Sequence, residues 1–524
     1  MANAYNQRRR VVVNPQDFGF LSRPSFFLSS SSFLVRMDVH RSFSLMRFMA
    51  EAGLLPSPEE ELKRELVIQK LKKIVQKWIT KVAWQRKLPE NVIRDASATI
   101  LTYGSYGLGV HCSESDIDAL CVGPWFATMA EDFFIVLYNI LKGRPEVSDI
   151  HCVKDAKVPL MRFKFEGVAV DFPYAQLQVM SVPENVDLLN PIFLTSIDET
   201  SWKSLSGVRV NQLILQLVPN VENFQSLLRC IKFWAKRRGV YGNLFGFLGG
   251  IHLAVLSAFI CQRSPDAYLS ALVMSFFNTF ASWPWPTPVL LQDGMMQTVE
   301  DVPERRSLMP IGLPGSPYQY CQSNITRSTF NRIRAEFLRG QNIVKEILSP
   351  DSNWDNLFEP YGNAYRKSYS RFLKIYLVAS AIDDLGDWVG WVKSRFPSLI
   401  LKLEEIRVSC DPNPTEYVDT ENVDSESSVV FYWGLNLGRS INFEVTSLEK
   451  EFRNNLSHGY KGVPGKMELG VVPAAELPTI AQYPARINTR RIPDYDQQRV
   501  LVYSRHLPSY FVGYAASEGD HASL

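Results

Sequence analysis

Residues 103–124 read YGSYGLGVHCSESDIDALCVGP. A Gly-Ser turn, Gly104-Ser105, opens the stretch, and Asp116 and Asp118 follow it. Residues i and i+2 of a strand project to one face. The apolar run after the acids predicts a strand over 117–122, with both carboxylates on the same side near its end. Two hard oxygen ligands held together suit Mg²⁺ or Mn²⁺, ions that bridge protein carboxylates to substrate phosphates. The Gly-Ser turn offers backbone N–H groups and a hydroxyl to the same phosphates.

A third acid appears in a matching setting. Residues 160–177 read LMRFKFEGVAVDFPYAQL. Apolar and basic residues alternate over 160–165, Glu166-Gly167 reads as a turn, and a second strand begins at Val168, which is a hairpin pattern. Asp171 is expected to end that second strand among apolar neighbours. A buried, unpaired acid is costly, and a metal shared with Asp116 and Asp118 would compensate it. Three carboxylates on neighbouring strands beside a phosphate-binding turn fit a two-metal phosphoryl-transfer site. One ion would activate an attacking hydroxyl; the other would hold a triphosphate and the departing pyrophosphate. Asp171 is expected on the nucleophile-side ion only.

Further blocks extend the pattern: SLMRFMAEAGLLPSPEEELKRELVIQKLKKIVQKWITKV from Ser44, LRCIKFWAKRRGVYGNLFGFLGGIHLAVL from Leu228, and SLMPIGLPGSPYQ from Ser307. With these the chain, from about Ser44 to about Leu401, resembles the eukaryotic poly(A) polymerase family of the nucleotidyltransferase superfamily, the plant members most closely. The resemblance implies a multidomain α+β fold. A nucleotidyltransferase palm with a mixed sheet would cover 65–180. A helical middle domain would take 41–64 and 181–364, and a C-terminal RRM-like α+β domain that binds RNA would take 365–510. A disordered tail over 1–40 and a short tail over 511–524 complete the expectation.

The resemblance also implies an ATP site built from Tyr103, Gly104, Ser105, Cys112, Lys232, Tyr241, Gly250 and Ile251 together with the three acids, with Asn243 facing the adenine. The chemistry suits each position. Lys232 is a compact cation for outer phosphates, Gly250 permits close backbone approach, and an Asn amide matches the donor and acceptor edge of a base. Three positions depart from the family pattern. Ser206 stands where an Asn usually touches the ribose, Gly107 where an Arg is common, and the CSES turn over 112–115 adds Glu114.

The remaining sequence is that of an ordinary globular protein of 524 residues, 46% hydrophobic and 21% charged, with net charge +2. Bulk charge therefore does not announce a nucleic-acid partner. The acid-free stretch Arg229–Arg238 does so locally, with Lys232 and Lys236 on one helical face. Seven scattered cysteines without a C-x-x-C pair argue against a zinc site or a disulfide framework. No apolar run reaches membrane-spanning length, and 244–260 reads as a buried helix. The first fifty residues are rich in Arg and Ser, as in a transit peptide, but a disordered tail with an insertion over 25–34 is favoured.

Ser57-Pro-Glu-Glu60 forms a capping box. Leu62, Leu66, Leu71, Ile74, Val75, Trp78 and Val82 follow at helical spacing as expected core. Residues 203–250 and 330–348 are expected to be helical, with Trp354 and Phe358 as packing anchors, and the Pro- and Trp-rich 281–318 to be extended. A strand-helix-strand series from about 365 fits a small α+β unit. Its RNP aromatic signature is absent. Residues after about 457 read as irregular, ending in an Arg-containing tail.

The expected function is template-independent transfer of AMP from ATP to RNA 3′ ends, as in mRNA polyadenylation, with pyrophosphate released by two Mg²⁺ or Mn²⁺ ions. Expected partners are an RNA 3′ end, ATP and cleavage/polyadenylation factors; a monomer without membrane attachment is expected. The nucleus is the expected compartment, and the lack of a basic extension before Leu524 leaves a cytoplasmic form open. Two other readings stand beside it: a terminal uridylyltransferase, and an inactive RNA-binding scaffold motivated by Ser206, Gly107 and Glu114.

Overall fold

The computed structural model describes residues 28–291, 307–315, 320–347, 353–417, 428–437 and 444–478. Helix α1 (Leu28–Glu51) comes first. It corrects the expected tail over 1–40: the Ser-rich run starts a helix, which is tied to the helical body where the Ser42 hydroxyl donates to Ser270 Oγ at 3.0 Å. Residues 1–27 and the Arg-containing tail from 479 lie outside the described residues. Helix α2 (Pro58–Gln85) starts at the expected capping box, with Ser57 and Glu60 bonding each other's backbone N–H groups. Leu71, Ile74, Val75, Trp78 and Val82 are buried as expected, but Leu62 and Leu66 are exposed and Arg64 is buried in their stead. The expected boundary at 64/65 thus falls inside an unbroken helix.

After α3 (Glu90–Asp95) come β1 (Thr99–Tyr103), the single turn α4 (Gly104–Gly107), β2 (Ile117–Gly123), a π-helical stretch (Met129–Leu137), α5 (Tyr138–Lys142), β3 (Val147–Val153), β4 (Leu160–Phe165) and β5 (Val168–Gln176). The strands form one mixed sheet in the order β1-β2-β5-β4-β3, with β2 and β5 parallel and the other pairs antiparallel. Alternation sets its faces. Ile117, Ala119 and Cys121 of β2, and Val170, Phe172 and Tyr174 of β5, pack with α2 in one core. Leu120, Val122 and Ala175 pack on the other face with Leu205 and Val208. Asp118 and Asp171 share that second face. The β4–β5 turn has positive φ at both Glu166 (50°) and Gly167 (81°), as a two-residue hairpin turn requires.

Asp171 corrects the sequence reading. It is the fourth of nine strand residues, not the last. The strand continues through Pro173, a residue that ordinarily argues against a central strand.

The helical body comprises α6 (Glu199–Leu217), α7 (Val221–Arg237), α8 (Gly250–Arg263), α9 (Leu269–Ala281), α10 (Arg327–Glu346) and α11 (Asp355–Phe358). Trp234 of α7 stacks on Phe337 of α10 with ring centroids 5.6 Å apart, and Trp354 and Phe358 are buried beside them. All three arginines of the 229–238 stretch are structural. Arg229 donates to the Gly109 carbonyl, Arg237 to that of Phe358, and Arg238 grips Glu336 with two bonds of 2.8 and 2.9 Å.

Helix α12 (Gly362–Ser368) leads to β6 (Arg371–Val378), α13 (Ile382–Lys393), α14 (Phe396–Glu405), β7 (Ser409–Asp411), β8 (Ser428–Asn436), α15 (Val445–Ser457) and β9 (Lys466–Pro473). The antiparallel sheet runs β7-β8-β6-β9. This β-α-β-β-α-β order, with α13 and α14 filling the first helical slot, is the split βαβ arrangement expected of an RRM-like unit. Strand β9 corrects the expectation of irregular chain after 457. Tyr365, Tyr417 and Leu477 cover Phe372, Val430 and Tyr432 on the sheet face opposite Phe431 and Trp433.

Candidate active site

Tyr103 ends β1 opposite Asp118 in the ladder. The chain then turns into α4 through Gly104 at φ +61°, a conformation that costs glycine nothing. The Gly104 carbonyl accepts from Asn211 Nδ2 of α6 at 3.0 Å, and the Ser105 N–H bonds the Asp118 carboxylate. Gly107 has no room for a side chain, since a Cβ there would sit 2.8 Å from the Thr102 carbonyl oxygen. The departure from Arg is therefore accommodated by close backbone packing.

The 112–115 turn is clamped from behind. Arg64 Nη2 donates to the carbonyls of Cys112, Ser113 and Ser115 at 3.3, 2.7 and 3.1 Å. Ser113 Oγ donates to Glu60 at 2.9 Å, and His111 lies 3.0 Å from Glu61. The first turn of α2 thus shapes one wall. Neither Arg64 nor Asn211 was apparent from sequence, because both bond to backbone carbonyls that carry no pattern.

Asp116, Asp118 and Asp171 each bring an oxygen within 4.8 Å of the others. Asp118 and Asp171 are direct partners in the parallel β2–β5 ladder. Burial, then Asp116 and Asp171, push the Asp118 carboxyl up to about 7. Burial and Asp171 also raise Asp116. Such mutual repulsion is relieved by a divalent cation, and an all-oxygen donor set matches a hard one. The residues present fit the expected ion site. Asp171 is not unpaired, however: Arg162 holds it through Nε–Oδ1 and Nη2–Oδ2 contacts of 2.6 and 2.7 Å. Sequence reasoning missed that partner, although a two-residue turn at 166–167 fixes the register that puts 162 opposite 171.

A cleft of about 450 Å³ opens beside the acids. It gathers Gly104, Ser105, Cys112, Asp116 and Asp118 from the sheet side, and Lys232, Tyr241, Gly250 and Ile251 from α7, the segment after it and α8. Burial and then Lys236 push the Lys232 ammonium down to about 8, opposed by Cys112 and the acids. Burial raises the Cys112 thiol, but a hydrogen bond with Ser115 and the charges of Lys236 and Lys232 outweigh it, and the thiol is lowered. Burial, and secondarily Asp116 and Asp118, raise the Tyr241 phenol, so it stays a hydroxyl donor. A Cβ on Gly250 would lie 3.3 Å from that hydroxyl, which explains the glycine. Glu114 lines the same cleft, as expected from the acidic turn.

Three expected contacts fall elsewhere. Tyr103 is half-buried beside the acids, its ring against Gly207, where a Cβ would sit 2.8 Å away; desolvation and then Asp118 hold its phenol far above the ordinary range. Ser206 is exposed on α6, and its hydroxyl donates to the Lys203 carbonyl at 2.6 Å. It is occupied by its own helix and does not line the cleft. Asn243 is also outside the lining. Its Oδ1 accepts from the Asn324 backbone N–H at 3.2 Å, which braces the loop.

Carboxylates paired across a mixed sheet, a glycine turn and a half-buried lysine facing one cleft define a nucleotidyltransferase. Residues 35–218 match the family model for the poly(A) polymerase nucleotidyltransferase domain, and 223–360 the model for the poly(A) polymerase central domain. Nuclear poly(A) polymerase 3 of Arabidopsis thaliana is 54% identical over 487 residues, covering 91% of this chain and 94% of that protein. The poly(A) polymerase of Dictyostelium discoideum is 40% identical over 375 residues, 70% of this chain and 46% of its own length. A crystal structure of the Cid1 poly(U) polymerase aligns at 15% identity and a TM-score of 0.41, over 61% of this chain and 99% of that one. The chain belongs to the poly(A) polymerase family and is a polynucleotide adenylyltransferase.

Proposed function

We propose that Asp116, Asp118 and Asp171 are the catalytic carboxylates that transfer AMP from ATP to an RNA 3′-hydroxyl and release pyrophosphate. The observation that carries this is the convergence of their oxygens within 4.8 Å at the mouth of a cleft walled by Lys232 and Tyr241. Mg²⁺ or Mn²⁺ bound there, as two ions, would supply Lewis-acid activation of the hydroxyl and charge neutralisation at the leaving group. The chain's own residues do the rest. Gly104 presents its backbone N–H and Ser105 its hydroxyl to phosphate. Lys232, with Lys236 behind it, neutralises outer phosphate charge, and the Tyr241 hydroxyl donates to the same group. Ile251 offers an apolar wall to the base. The palm and the helical middle unit carry these parts, and the RRM-like C-terminal unit holds RNA.

The chain works in the nucleus on this reading, in line with the names of its Arabidopsis relatives; a cytoplasmic form finds no support. Primer extension on oligo(A) with each of the four nucleoside triphosphates and Mg²⁺ or Mn²⁺ tests the assignment. ATP should be incorporated preferentially, and Asp116→Ala and Asp118→Ala should extend nothing. Preferential use of UTP would favour the uridylyltransferase reading, and tight primer binding without extension the scaffold.

A further inference from the structure

Arg162 stands directly opposite Asp171 in the antiparallel β4–β5 ladder. Its guanidinium meets the carboxylate side-on, one nitrogen to each oxygen, at 2.6 and 2.7 Å. This two-pronged geometry is the strong form of the Arg–carboxylate pair. Among the described residues no cationic side chain pairs in this way with Asp116 or Asp118. The triad is therefore asymmetric: two acids face the cleft without a partner cation, and the third is clamped.

A divalent ion coordinated by Asp171 draws on the same oxygens that the fork engages, and it repels the guanidinium. The Arg162 side chain is about half exposed (52%), so it has open space into which to withdraw. We propose that Arg162 is a built-in counter-charge for the nucleophile-side metal position, holding Asp171 until an ion displaces it and so making the second ion bind later and more weakly than the first. Arg162 is on this reading a positioning residue that acts through Asp171. Its role rests on the assignment of Asp171 as a metal ligand made above.

The test is a Mn²⁺ titration of the full chain in the presence of α,β-methylene-ATP, with unbound Mn²⁺ counted from its aqueous electron paramagnetic resonance signal. The wild type should bind one ion and then a second at least tenfold more weakly. Arg162→Ala should tighten the second ion about tenfold, or about 1.4 kcal/mol, with little change in the first. Arg162→Lys keeps the charge but loses the two-pronged grip, and should tighten it part of the way. Two equally tight ions in the wild type overturn the proposal. So does a second ion that neither variant alters. Equal tightening of both ions by Arg162→Ala with Arg162→Lys unchanged also overturns it, because that is removal of charge alone. Asp171→Asn should bind only the first ion; if it binds both, Asp171 is no ligand and the underlying reading fails instead. Thermal unfolding checks that each variant is folded, and Arg162→Lys decides if Arg162→Ala is not.

Discussion

A β-carbon added to Gly104 would lie 1.9 Å from Oδ2 of Asp118. The Gly-Ser turn and the Asp118 carboxylate are therefore packed against one another with no intervening space. Gly104→Ala must move either the turn or the carboxylate, and it also meets the penalty of a positive φ. Displacements of about 1 Å at reacting groups cost about a hundredfold in rate. Primer-extension kcat should fall by at least that much while circular dichroism stays that of the wild type. Wild-type activity in this variant would show that the close packing is irrelevant.

Arg64 does not itself line the cleft, yet it fixes three carbonyls of the turn that does. Charge-assisted bonds of this kind contribute about 1.5–3 kcal/mol, so Arg64→Ala should raise KM for ATP by about tenfold or more. The value of kcat should change less, since the acids are held by other elements. Initial rates over a range of ATP concentrations separate the two. A fall confined to kcat would place Arg64 in the chemistry and not in nucleotide binding.

His252 should make stability depend on pH. It is buried in the first turn of α8, its Nδ1 accepting from the Gly249 N–H at 3.0 Å, and burial depresses it to about 4 from an ordinary 6.5. Between those values the unfolded chain carries a proton that the folded chain refuses. Its contribution is fully present above about 6.5 and is lost as pH falls toward 4, at about 1.4 kcal/mol per unit. Urea unfolding at pH 7 and pH 5 should show His252→Gln losing about 2 kcal/mol less than the wild type over that interval. Parallel losses would assign the acid sensitivity to other groups.

Glu336 receives two bonds from Arg238 and one of 2.7 Å from Arg332, and Arg332 also reaches Asp411 at 3.4 Å. Burial alone would raise the Glu336 carboxyl, but the two arginines hold it below its ordinary range. Removing one member of a buried pair costs about 3–5 kcal/mol. Glu336→Ala should lose at least that much in urea unfolding, since two guanidiniums are left. A loss near zero would mean that the pocket admits water freely.

What the sequence made legible follows from periodicity. The spacing of Asp116 and Asp118 and the turn at 166–167 put three acids on one sheet face, and the capping box located α2. Short local patterns misled elsewhere. The apolar run around Asp171 hid that β5 continues through Pro173, and the Ser-rich composition around 28–34 hid a helix that is anchored on α9 further along, at Ser42. Lys466–Pro473, with an internal glycine and a terminal proline, hid a strand that its ladder with β6 supports. The supports of the site were illegible for another reason. Arg64 and Asn211 act on backbone carbonyls 48–51 and 107 positions away, and the faces of Ser206 and Asn243 depend on helix rotation and loop path.

The cleft has walls from two separate hydrophobic cores. Its acids belong to the sheet, while Lys232, Tyr241, Gly250 and Ile251 belong to the helical body. Within the 104–110 segment the two sides meet through Asn211 on Gly104, Gln225 on Leu108 and Arg229 on Gly109. A nucleotide seated between them touches both cores at once and becomes a keystone of the fold. At a hundred times its Kd such a ligand adds about 2.7 kcal/mol to stability. On the proposed function, each turnover would take that contribution away as the products leave, so the stability of the chain would rise and fall with occupancy of the cleft.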